Sequence, residues 1–390
     1  MFDASRAYGL ASILYKLKLI KDLEEIITIE DKGFYYEVNG PKIDKAPIDL
    51  KEEMNWISLF DHMLSWWRNL YPRKIQTKKD KNTNEKKVPE EIINFLNGYT
   101  TEDEIKENNY RECFVRSMIA RKVLTENLLS ILNKHRRFYS VEFTNIRGLK
   151  KGYWTLPQGI DVSASKGIRE EVRMKVQYRE GTNISVPLDD LSLAQIGFAF
   201  SKRIWGKPSG DKRKRSFILI FMPNPKNIEV RAHQEIIDEL DAGGICNVSE
   251  GTSLAHYSVY LVNLIRGRIV ENKKAPEYSS LIYNGVKPTA QQPKPSSGGL
   301  FPLDFLYDII ESNLEISGNV FEIWDHVFRI GNKKGREDLS LSLSEFIAYP
   351  TADNLENYLK IHLRYLLKED VPIRAYPEEC IKEVLRNVRS

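Results

Sequence analysis

The sequence predicts an α+β protein: a mixed α/β domain at residues 1–287 followed by a small helical bundle at residues 300–390. The region before residue 288 interleaves helical apolar spacing with short alternating or continuous apolar runs, which are typical of strands. Residues 288–299 are rich in proline, serine and glycine, and the apolar spacing beyond them is helical. A length of 390 residues also exceeds the size at which one hydrophobic core usually stops growing. We therefore expect two domains joined by a linker at residues 288–299.

The first predicted elements are a helix and a hairpin. Asp3 or Ser5 could cap the helix, whose apolar residues recur at helical spacing: Ala7, Leu10, Ala11, Leu14 and Leu17. Two strand-like runs at 26–29 and 34–38 then flank Gly33, which can supply the positive φ of a tight turn. The helix is expected to pack on a core, and the two runs are expected to pair.

Helices dominate the region that follows. One helix, ended by Pro72, carries large side chains on a single face, which we interpret as core residues: Trp56, Phe60, Met63, Leu64 and Trp67. Residues 73–87 hold seven Lys or Arg and almost nothing apolar, which predicts a solvated loop. The stretch 110–137 lacks Gly and Pro and predicts one long helix or two in succession, with cations at 134–137 that suit a helix C-terminus.

The segment 171–180 predicts a strand with one apolar face and one cationic face. Its apolar residues alternate with polar ones, which are Arg173, Lys175, Gln177 and Arg179. Short strands and turns are expected before it, at residues 140–154. A helix capped by Asp189 or Asp190 follows it, and a basic loop at 201–215 then leads into a buried strand at 216–222. The basic loop should therefore lie between two core elements.

The remaining elements are predicted to be helical. Two helices at 233–240 and 254–266 complete the first domain. Beyond the linker, helical apolar spacing recurs in four further segments: 303–314, 320–330, 355–366 and a last helix after Pro377.

Charge is distributed unevenly along the chain. All 390 residues carry 58 Lys or Arg and 54 Asp or Glu, a net of +4. Residues 134–215 alone hold 18 basic and 8 acidic residues, a net of +10, whereas residues 300–390 hold 11 and 16, a net of −5. A concentrated positive excess repels itself, which indicates an anionic partner, and the acidic bundle is expected to contact protein.

Familiar catalytic motifs are absent from the sequence. There is no phosphate-binding loop, no Gly-x-Gly-x-x-Gly and no Gly-x-Ser-x-Gly. The pairs Asp61-His62 and Asp325-His326 fall within amphipathic helices and are interpreted as solvent-facing rather than metal ligands. The segment 80–87 imitates the acid and lysine spacing of a metal-dependent nuclease, but it has no apolar residues to fix that geometry. We expect a protein that is not an enzyme and uses no metal and no cofactor.

Cysteine usage and hydropathy predict a cytoplasmic protein. Cys113, Cys246 and Cys380 are too widely spaced for a disulfide framework or a zinc site. The longest uninterrupted apolar run, Phe217–Met222, is six residues, and the first residues do not form a secretory leader. No membrane association is expected. Abundant Lys, Glu and Ile suit a thermophilic source.

The remaining feature is a surface suited to nucleic acid. Cations neutralise phosphates and release counterions, and exposed rings stack on unpaired bases or wedge into a duplex step. The candidate nucleic-acid-binding residues combine both types of side chain: Lys150, Lys151, Tyr153, Trp154, Arg173, Lys175, Gln177, Arg179, Lys202, Arg203, Trp205, Lys207, Lys212, Arg213, Lys214 and Arg215. The loop 202–215, and Gln177 with its cationic neighbours, are the best candidates for entering a groove.

Two sequence motifs and a separate C-terminal segment carry a resemblance to a known family. The opening Phe2-Asp-Ala-Ser-Arg-Ala-Tyr-Gly-Leu-Ala, the run Leu191-Ser-Leu-Ala-Gln-Ile-Gly-Phe before a basic loop, and a separate helical C-terminal segment resemble the large subunit of archaeal type I CRISPR interference complexes (Cascade), subtype A-like. The resemblance implies a non-catalytic subunit of an antiviral defence complex that binds guide RNA and target DNA. It also implies that the subunit recognises the guide 5′ end and the target-adjacent motif. The partners implied are backbone subunits and a helicase–nuclease.

Two other functions remain open from the residues alone. The chain could be a metal-dependent nuclease of a defence system, with carboxylates that converge only in three dimensions. It could also be an interaction scaffold whose basic surface meets acidic protein partners.

Overall fold

The computed structural model describes most of the chain in fourteen stretches: residues 1–43, 49–70, 74–79, 86–134, 136–141, 144, 146, 148–156, 185–199, 201–206, 217–240, 244–287, 294–368 and 371–388. These residues confirm the predicted fold class, with mixed α/β structure, antiparallel pairing and a helical C-terminal region. They fall into two compact units. Unit 1 comprises residues 1–201 with 288–295, and unit 2 comprises residues 202–287 with 296–390.

Unit 1 contains the N-terminal helices and three sets of paired strands. Its described helices are α1 (Phe2–Lys21), α2 (Met54–Leu70), α3 (Glu90–Phe95), α4 (Glu102–Glu107), α5 (Glu112–Glu126), α6 (Leu128–Lys134) and α7 (Leu188–Phe198), with a 3-10 turn at Leu149–Lys151. Its described strands are β1 (Thr28–Asp31), β2 (Tyr35–Asn39), β3 (Lys78–Lys79), β4 (Lys86–Lys87), β5 (Arg137–Tyr139), β6 (Tyr153–Thr155) and β7 (Ser185–Pro187). β2 lies antiparallel between β1 and β5, and β3 pairs with β4 as β6 pairs with β7.

Most early elements agree with the sequence. The five predicted α1 positions are all buried, and Trp56, Phe60 and Trp67 of α2 are likewise in the core. Gly33 has φ +81° between β1 and β2, as the hairpin requires. The stretch 110–137 forms two helices, α5 and α6, because the chain bends at Asn127. The predicted loop at 73–87 instead contains the β3–β4 pair.

Helices α1 and α7 cross at very close range. A methyl group on Gly9 would lie 2.0 Å from the carbonyl oxygen of Leu193, and one on Gly197 would lie 1.8 Å from that of Ser5. Backbone therefore packs directly on backbone at both points. The helices can approach this closely only because neither glycine carries a side chain.

A buried ion pair fastens the same crossing. Nη1 of Arg6 donates to Oδ1 of Asp190 at 2.7 Å, and the two residues are 4% and 6% exposed. Arg6 also donates to Asp3 and to the backbone carbonyl of Tyr139. Asp190, predicted to cap α7, instead pairs with Arg6 in the core, and the residue before the helix is Pro187.

Unit 2 joins an antiparallel sheet to a helical bundle. Its described helices are α8 (Val230–Glu239), α9 (Glu250–Val270), α10 (Asp304–Ser312), α11 (Leu314–Gly331), α12 (Glu337–Ala348), α13 (Ala352–Leu366) and α14 (Glu378–Arg386). Its strands are β8 (Lys202–Gly206), β9 (Phe217–Glu229), β10 (Glu277–Lys287) and, from residue 296 onward, β11 (Lys294–Pro302). β9 lies between β8 and β10, and β10 also pairs with β11.

Several features of unit 2 differ from the sequence expectation. Residues 294–299, predicted as part of a linker, belong to β11, and the chain passes between units after Ser201 as well as near residues 287–296. The expected buried strand extends to Glu229 because the pattern after Met222 stays buried through Pro225. α12 was not anticipated, although Leu339, Leu343 and Phe346 are fully buried.

Buried histidines couple the stability of unit 2 to pH. His233 is 5% exposed, and its Nδ1 lies 2.8 Å from the hydroxyl oxygen of Tyr278. Burial, with a smaller contribution from Lys202, lowers the pKa of His233 to about 3. Burial also lowers the pKa values of His256 and His362.

We expect the free energy of unfolding to fall as the pH is lowered from about 6.5 towards 3. In that window the unfolded chain binds protons at these imidazoles that the folded chain excludes, so stability is fully present above 6.5 and is lost below it. His233 alone contributes a slope of up to about 1.4 kcal/mol per pH unit. Urea unfolding at several pH values in this range gives the free energy of unfolding as a function of pH. That dependence on pH should be less steep for His233→Gln, because glutamine keeps a hydrogen-bonding group but does not titrate. Equal slopes for the two proteins would contradict the assignment.

Candidate nucleic-acid interface

A two-glycine turn presents Lys150 and Lys151 at the surface of unit 1. Gly148 and Gly152 have φ +115° and +74°, and the 3-10 turn lies between them. Leu149 is 3% exposed, and its backbone N–H donates to the Glu91 carboxylate at 2.8 Å. Because Leu149 anchors the turn in the core, the two lysines that follow it are directed into solvent. Both are exposed, as predicted.

Tyr153 and Trp154 follow this turn on β6 but are only partly exposed. The Trp154 ring packs against the core of α3 and α5, and the Arg116 guanidinium lies 5.5 Å from its centroid. Arg116 is fixed in turn by Glu112 at 2.7 Å and by the carbonyl of Thr155 at 3.0 Å. One face of the indole is therefore covered by a cation of the same unit. We therefore interpret Trp154 as a structural residue rather than as an exposed ring for stacking.

Strand β8 of unit 2 carries the second group of predicted residues. Lys202, Arg203 and Trp205 pair with Phe221, Ile220 and Ile218 of β9. The Trp205 side chain is 49% exposed, whereas Arg203 is half-buried and burial lowers its pKa. The Trp205 carbonyl accepts a hydrogen bond from the Asn247 amide at 3.3 Å. Trp205 therefore has a hydrogen-bonded backbone and a partly exposed ring near the end of a paired strand.

The segment that joins β8 to β9 is strongly basic. Gly206 pairs with Phe217, so the ten residues 207–216 connect two adjacent strand ends. They hold Lys207 and the run 212–215 against one carboxylate, Asp211. These cations, like the predicted strand residues Arg173, Lys175, Gln177 and Arg179, lie outside the described residues.

Two further cations of the basic stretch have structural partners. Arg136 donates to the carbonyls of Leu132 and Pro41, at 3.2 and 2.8 Å, and so caps α6 as its sequence position suggested. Arg137 donates to Glu37 at 2.9 Å across paired strands. The positive excess at residues 134–215 is therefore not uniformly available to an external anion.

Among the described residues, no group of three or more His, Cys, Asp or Glu side chains is arranged to hold a metal ion. Asp325 instead accepts from His256 Nε2 and from Arg329 Nε, at 2.8 and 2.7 Å. Burial would raise the pKa of Asp325, but these hydrogen bonds lower it to about 2. The backbone N–H of Cys246 donates to His256 Nδ1, so the imidazole is held between two fixed partners. His326 contacts the carbonyl of Pro372 at 2.6 Å. Asp80 and Glu85 lie outside the described residues.

An aromatic surface in unit 1 was not predicted from sequence. Tyr35 and Tyr139 face each other across β2 and β5, with ring centroids 4.8 Å apart, and Phe34 precedes them at the hairpin turn. The alternation of Arg137, Phe138 and Tyr139 was the available signal. This alternation was not recognised as a strand, because the strand was expected to begin at residue 140, whereas β5 ends at Tyr139.

Together these features define a mixed α/β protein with antiparallel sheets and a helical C-terminal region. No protein-family model matches the chain. It is similar to an uncharacterized protein of Archaeoglobus fulgidus, with 28% identity over 396 aligned positions that cover 99% of this chain and 95% of the relative. The likeness therefore runs through both units. Across the helices in the described parts of the chain, none combines the length and apolarity needed to cross a membrane.

Proposed function

We propose that this chain is a non-catalytic, nucleic-acid-binding large subunit of an RNA-guided interference complex. In this role it recognises the guide 5′ end and the motif beside the target, and it recruits a helicase–nuclease. The observation that carries the proposal is the exposed Trp205 on a paired strand that leads directly into the basic segment 207–216. A ring beside a run of cations supplies both components of nucleic-acid affinity.

The β8–β9 connection has the properties required of a groove-contacting element. Its two strands are held in register by five residue pairs, so the ends of the basic segment are fixed at the width of adjacent strands. Five cations and one carboxylate give residues 207–216 a net charge of +4. Phosphate contacts from such a segment would fix the register, while Trp205 stands where a ring could reach a base step.

The Lys150–Lys151 turn supports the same function from unit 1. No carboxylate partner of either lysine occurs among the described residues, and the turn that carries them is anchored by Leu149 and Glu91. Paired lysines on a rigid turn are suited to backbone phosphates, which require charge but no particular base.

The resemblance to the Cascade large subunit gains support from where its two motifs lie. The opening motif forms the start of α1, and the Leu191–Phe198 motif forms most of α7. Gly9 and Gly197, which allow these helices to cross, belong to those motifs. The two segments therefore pack directly against each other within unit 1.

The acidic C-terminal bundle is assigned to protein partners within this proposal. Its net charge of −5 repels phosphate at low salt. The bundle also exposes Leu363, Leu367 and Tyr349, by 53%, 77% and 69%. Apolar side chains of this kind suit contact with other subunits of the complex. Crosslinking of this bundle mainly to nucleic acid would contradict the assignment.

We expect two sets of alanine substitutions, at Lys150 and Lys151 and at residues 212–215, to weaken binding to single-stranded and duplex DNA. Each lost phosphate contact should reduce the logarithmic salt slope for duplex by about 0.9, so the first set reduces it by about 2 and the second by up to about 4. Fluorescence anisotropy of the full chain at several salt concentrations measures both affinity and slope.

The matched control replaces Lys333 and Lys334, two adjacent exposed lysines of the acidic bundle, with alanine. This variant should leave affinity and slope unchanged. Unchanged binding in both test sets would reject the proposed interface. Magnesium-dependent cleavage that is abolished by a single Asp or Glu substitution would instead establish a nuclease.

A further inference from the structure

The strands β1, β2 and β5 of unit 1 have one face in the core. Ile29, Val38 and Phe138 are each at most 1% exposed, and α1 packs over this face. Side chains alternate along a strand, so the residues between these positions belong to the opposite face. That opposite face is unusual because it carries aromatic side chains next to an arginine.

The outer face brings two tyrosines and an arginine together. Tyr35 pairs with Tyr139, and Glu37 pairs with Arg137, in the antiparallel register of β2 and β5. The Tyr35 and Tyr139 rings are tilted by 38°, and the Arg137 guanidinium carbon lies 5.6 Å from the Tyr35 centroid. Tyr139 is 53% exposed, and the Arg137 side chain is 59% exposed.

A third ring lies at the turn that leads into β2. Phe34 is 89% exposed, the largest exposure among the large apolar side chains of the described chain. The turn is defined: Gly33 has φ +81°, and its backbone N–H donates to Asp31 at 2.7 Å. A large apolar ring in this position has no role in the core of unit 1.

Hydrogen bonds to the backbone hold the strands of this face in place. Arg6, only 4% exposed, donates to the backbone carbonyl of Tyr139 and lies 5.4 Å from the Phe138 centroid. The backbone N–H of Val38 donates to the carbonyl of Arg136 at 2.8 Å, which ties β2 to the chain entering β5. Glu37 holds the Arg137 guanidinium in place. Rings positioned in this way lose little freedom when they bind a ligand.

We propose that this aromatic face, formed by Tyr35, Arg137 and Tyr139 with the exposed Phe34 at the adjoining turn, is a stacking platform for unpaired nucleotides. The proposal rests on the proposed function and names the form of nucleic acid that this part of unit 1 takes. Base stacking on aromatic rings tolerates any sequence, because every base has a π face. Duplex bases are already stacked and cannot lie on a sheet face, so the ligand is single-stranded.

The aromatic face differs from the predicted basic surfaces in its local charge. Glu30 pairs with Lys32, Glu37 pairs with Arg137, and Asp31 is also present, so the face has little net positive charge. Its contribution to affinity therefore comes from stacking and not from phosphate neutralisation.

The test measures binding of short fluorescent oligouridylate and oligothymidylate to the full chain. Tyr139→Ala should weaken single-strand affinity about tenfold, the loss expected for one stacked base. The salt slope should stay unchanged, and duplex affinity should fall less than about twofold. Tyr139→Phe keeps the ring and should bind as the unmodified chain does. Tyr349→Ala, which removes an exposed tyrosine of the acidic bundle, is the matched control.

The outcomes distinguish this proposal from the proposed function. If the lysine variants lose affinity while Tyr139→Ala binds normally, the platform is wrong and the nucleic-acid role stands. If the unmodified chain binds no oligonucleotide, both are wrong. Equal weakening by Tyr139→Phe and Tyr139→Ala would exclude stacking. Loss of a co-purifying protein with unchanged oligonucleotide affinity would assign the face to a protein partner and overturn the platform.

Discussion

Alanine at Gly9 or Gly197 is expected to destabilise unit 1 strongly, by about 3 kcal/mol or more. The added Cβ would lie 2.0 Å from the Leu193 carbonyl oxygen in the first variant and 1.8 Å from the Ser5 carbonyl oxygen in the second. Real contacts of this type are more than 3 Å, and the clashing atoms are backbone, which cannot rotate away. α1 and α7 would have to separate along most of their contact.

Overpacking of a close-packed core typically costs about 1–3 kcal/mol, and a clash with two rigid backbones lies at or above the upper end. That is a large fraction of the about 5–15 kcal/mol that stabilises a typical domain. Thermal unfolding followed by circular dichroism, or the yield of folded protein, measures the effect.

The matched control for these variants is Gly267→Ala. Gly267 lies within α9, and a methyl group there would meet no atom within 4 Å. Alanine should therefore be neutral, or should stabilise the helix by up to about 1 kcal/mol. If Gly9→Ala and Gly267→Ala melt at the same temperature, the proposed backbone contact between α1 and α7 is wrong.

Removal of the Arg6 charge is the second substitution with a large expected effect. Arg6→Met leaves Asp190 buried without its cation and also removes the hydrogen bond to the carbonyl of Tyr139. Breaking a buried ion pair by removing one partner costs about 3–5 kcal/mol, because the remaining charge stays desolvated. Chemical denaturation at neutral pH should show a lower midpoint by a corresponding amount.

A double variant distinguishes the uncompensated charge from the loss of packing. Arg6→Met combined with Asp190→Leu should be more stable than Arg6→Met alone, since no charge then remains buried. Lys360→Ala is the control: Lys360 pairs with Glu356 at 2.7 Å, but both side chains are mostly exposed. That substitution should change stability by less than about 1 kcal/mol. Equal losses in Arg6→Met and Lys360→Ala would show that burial adds nothing to the Arg6–Asp190 pair.

The candidate interface could be predicted only in part. Lys150 and Lys151 were expected at the surface from residue type, and both are exposed. Trp205 was expected in a basic loop, whereas it lies on strand β8 with its ring partly exposed. Trp154 was expected to be available, yet its ring packs on the core beneath Arg116. An aromatic residue next to lysines has the same local sequence whether it faces solvent or an arginine from a distant helix. The covering partner is 38 positions earlier in the chain, and no local pattern reports it.

The aromatic face illustrates the same limit for strands. Tyr35 and Tyr139 are more than a hundred positions apart and become neighbours through the β2–β5 register. A shift of one residue would direct Tyr139 inward and Phe138 outward. Arg6 favours the observed register because it contacts both the Tyr139 carbonyl and the Phe138 ring.

The sequence by itself determined the class of the fold, the identity of most helices, the β1–β2 hairpin and the separation of basic from acidic regions. These depend on spacing, on turn residues and on charge composition, which act between near neighbours. Tertiary structure alone decided that Asp190 would pair with Arg6 rather than cap a helix, and that residues 294–299 would join a sheet rather than a linker. Tertiary structure also decided which Lys and Arg side chains remain exposed to solvent and which bond to other groups of the chain. Such outcomes are set by desolvation and by contacts between distant segments, and these interactions exist only once the chain has packed.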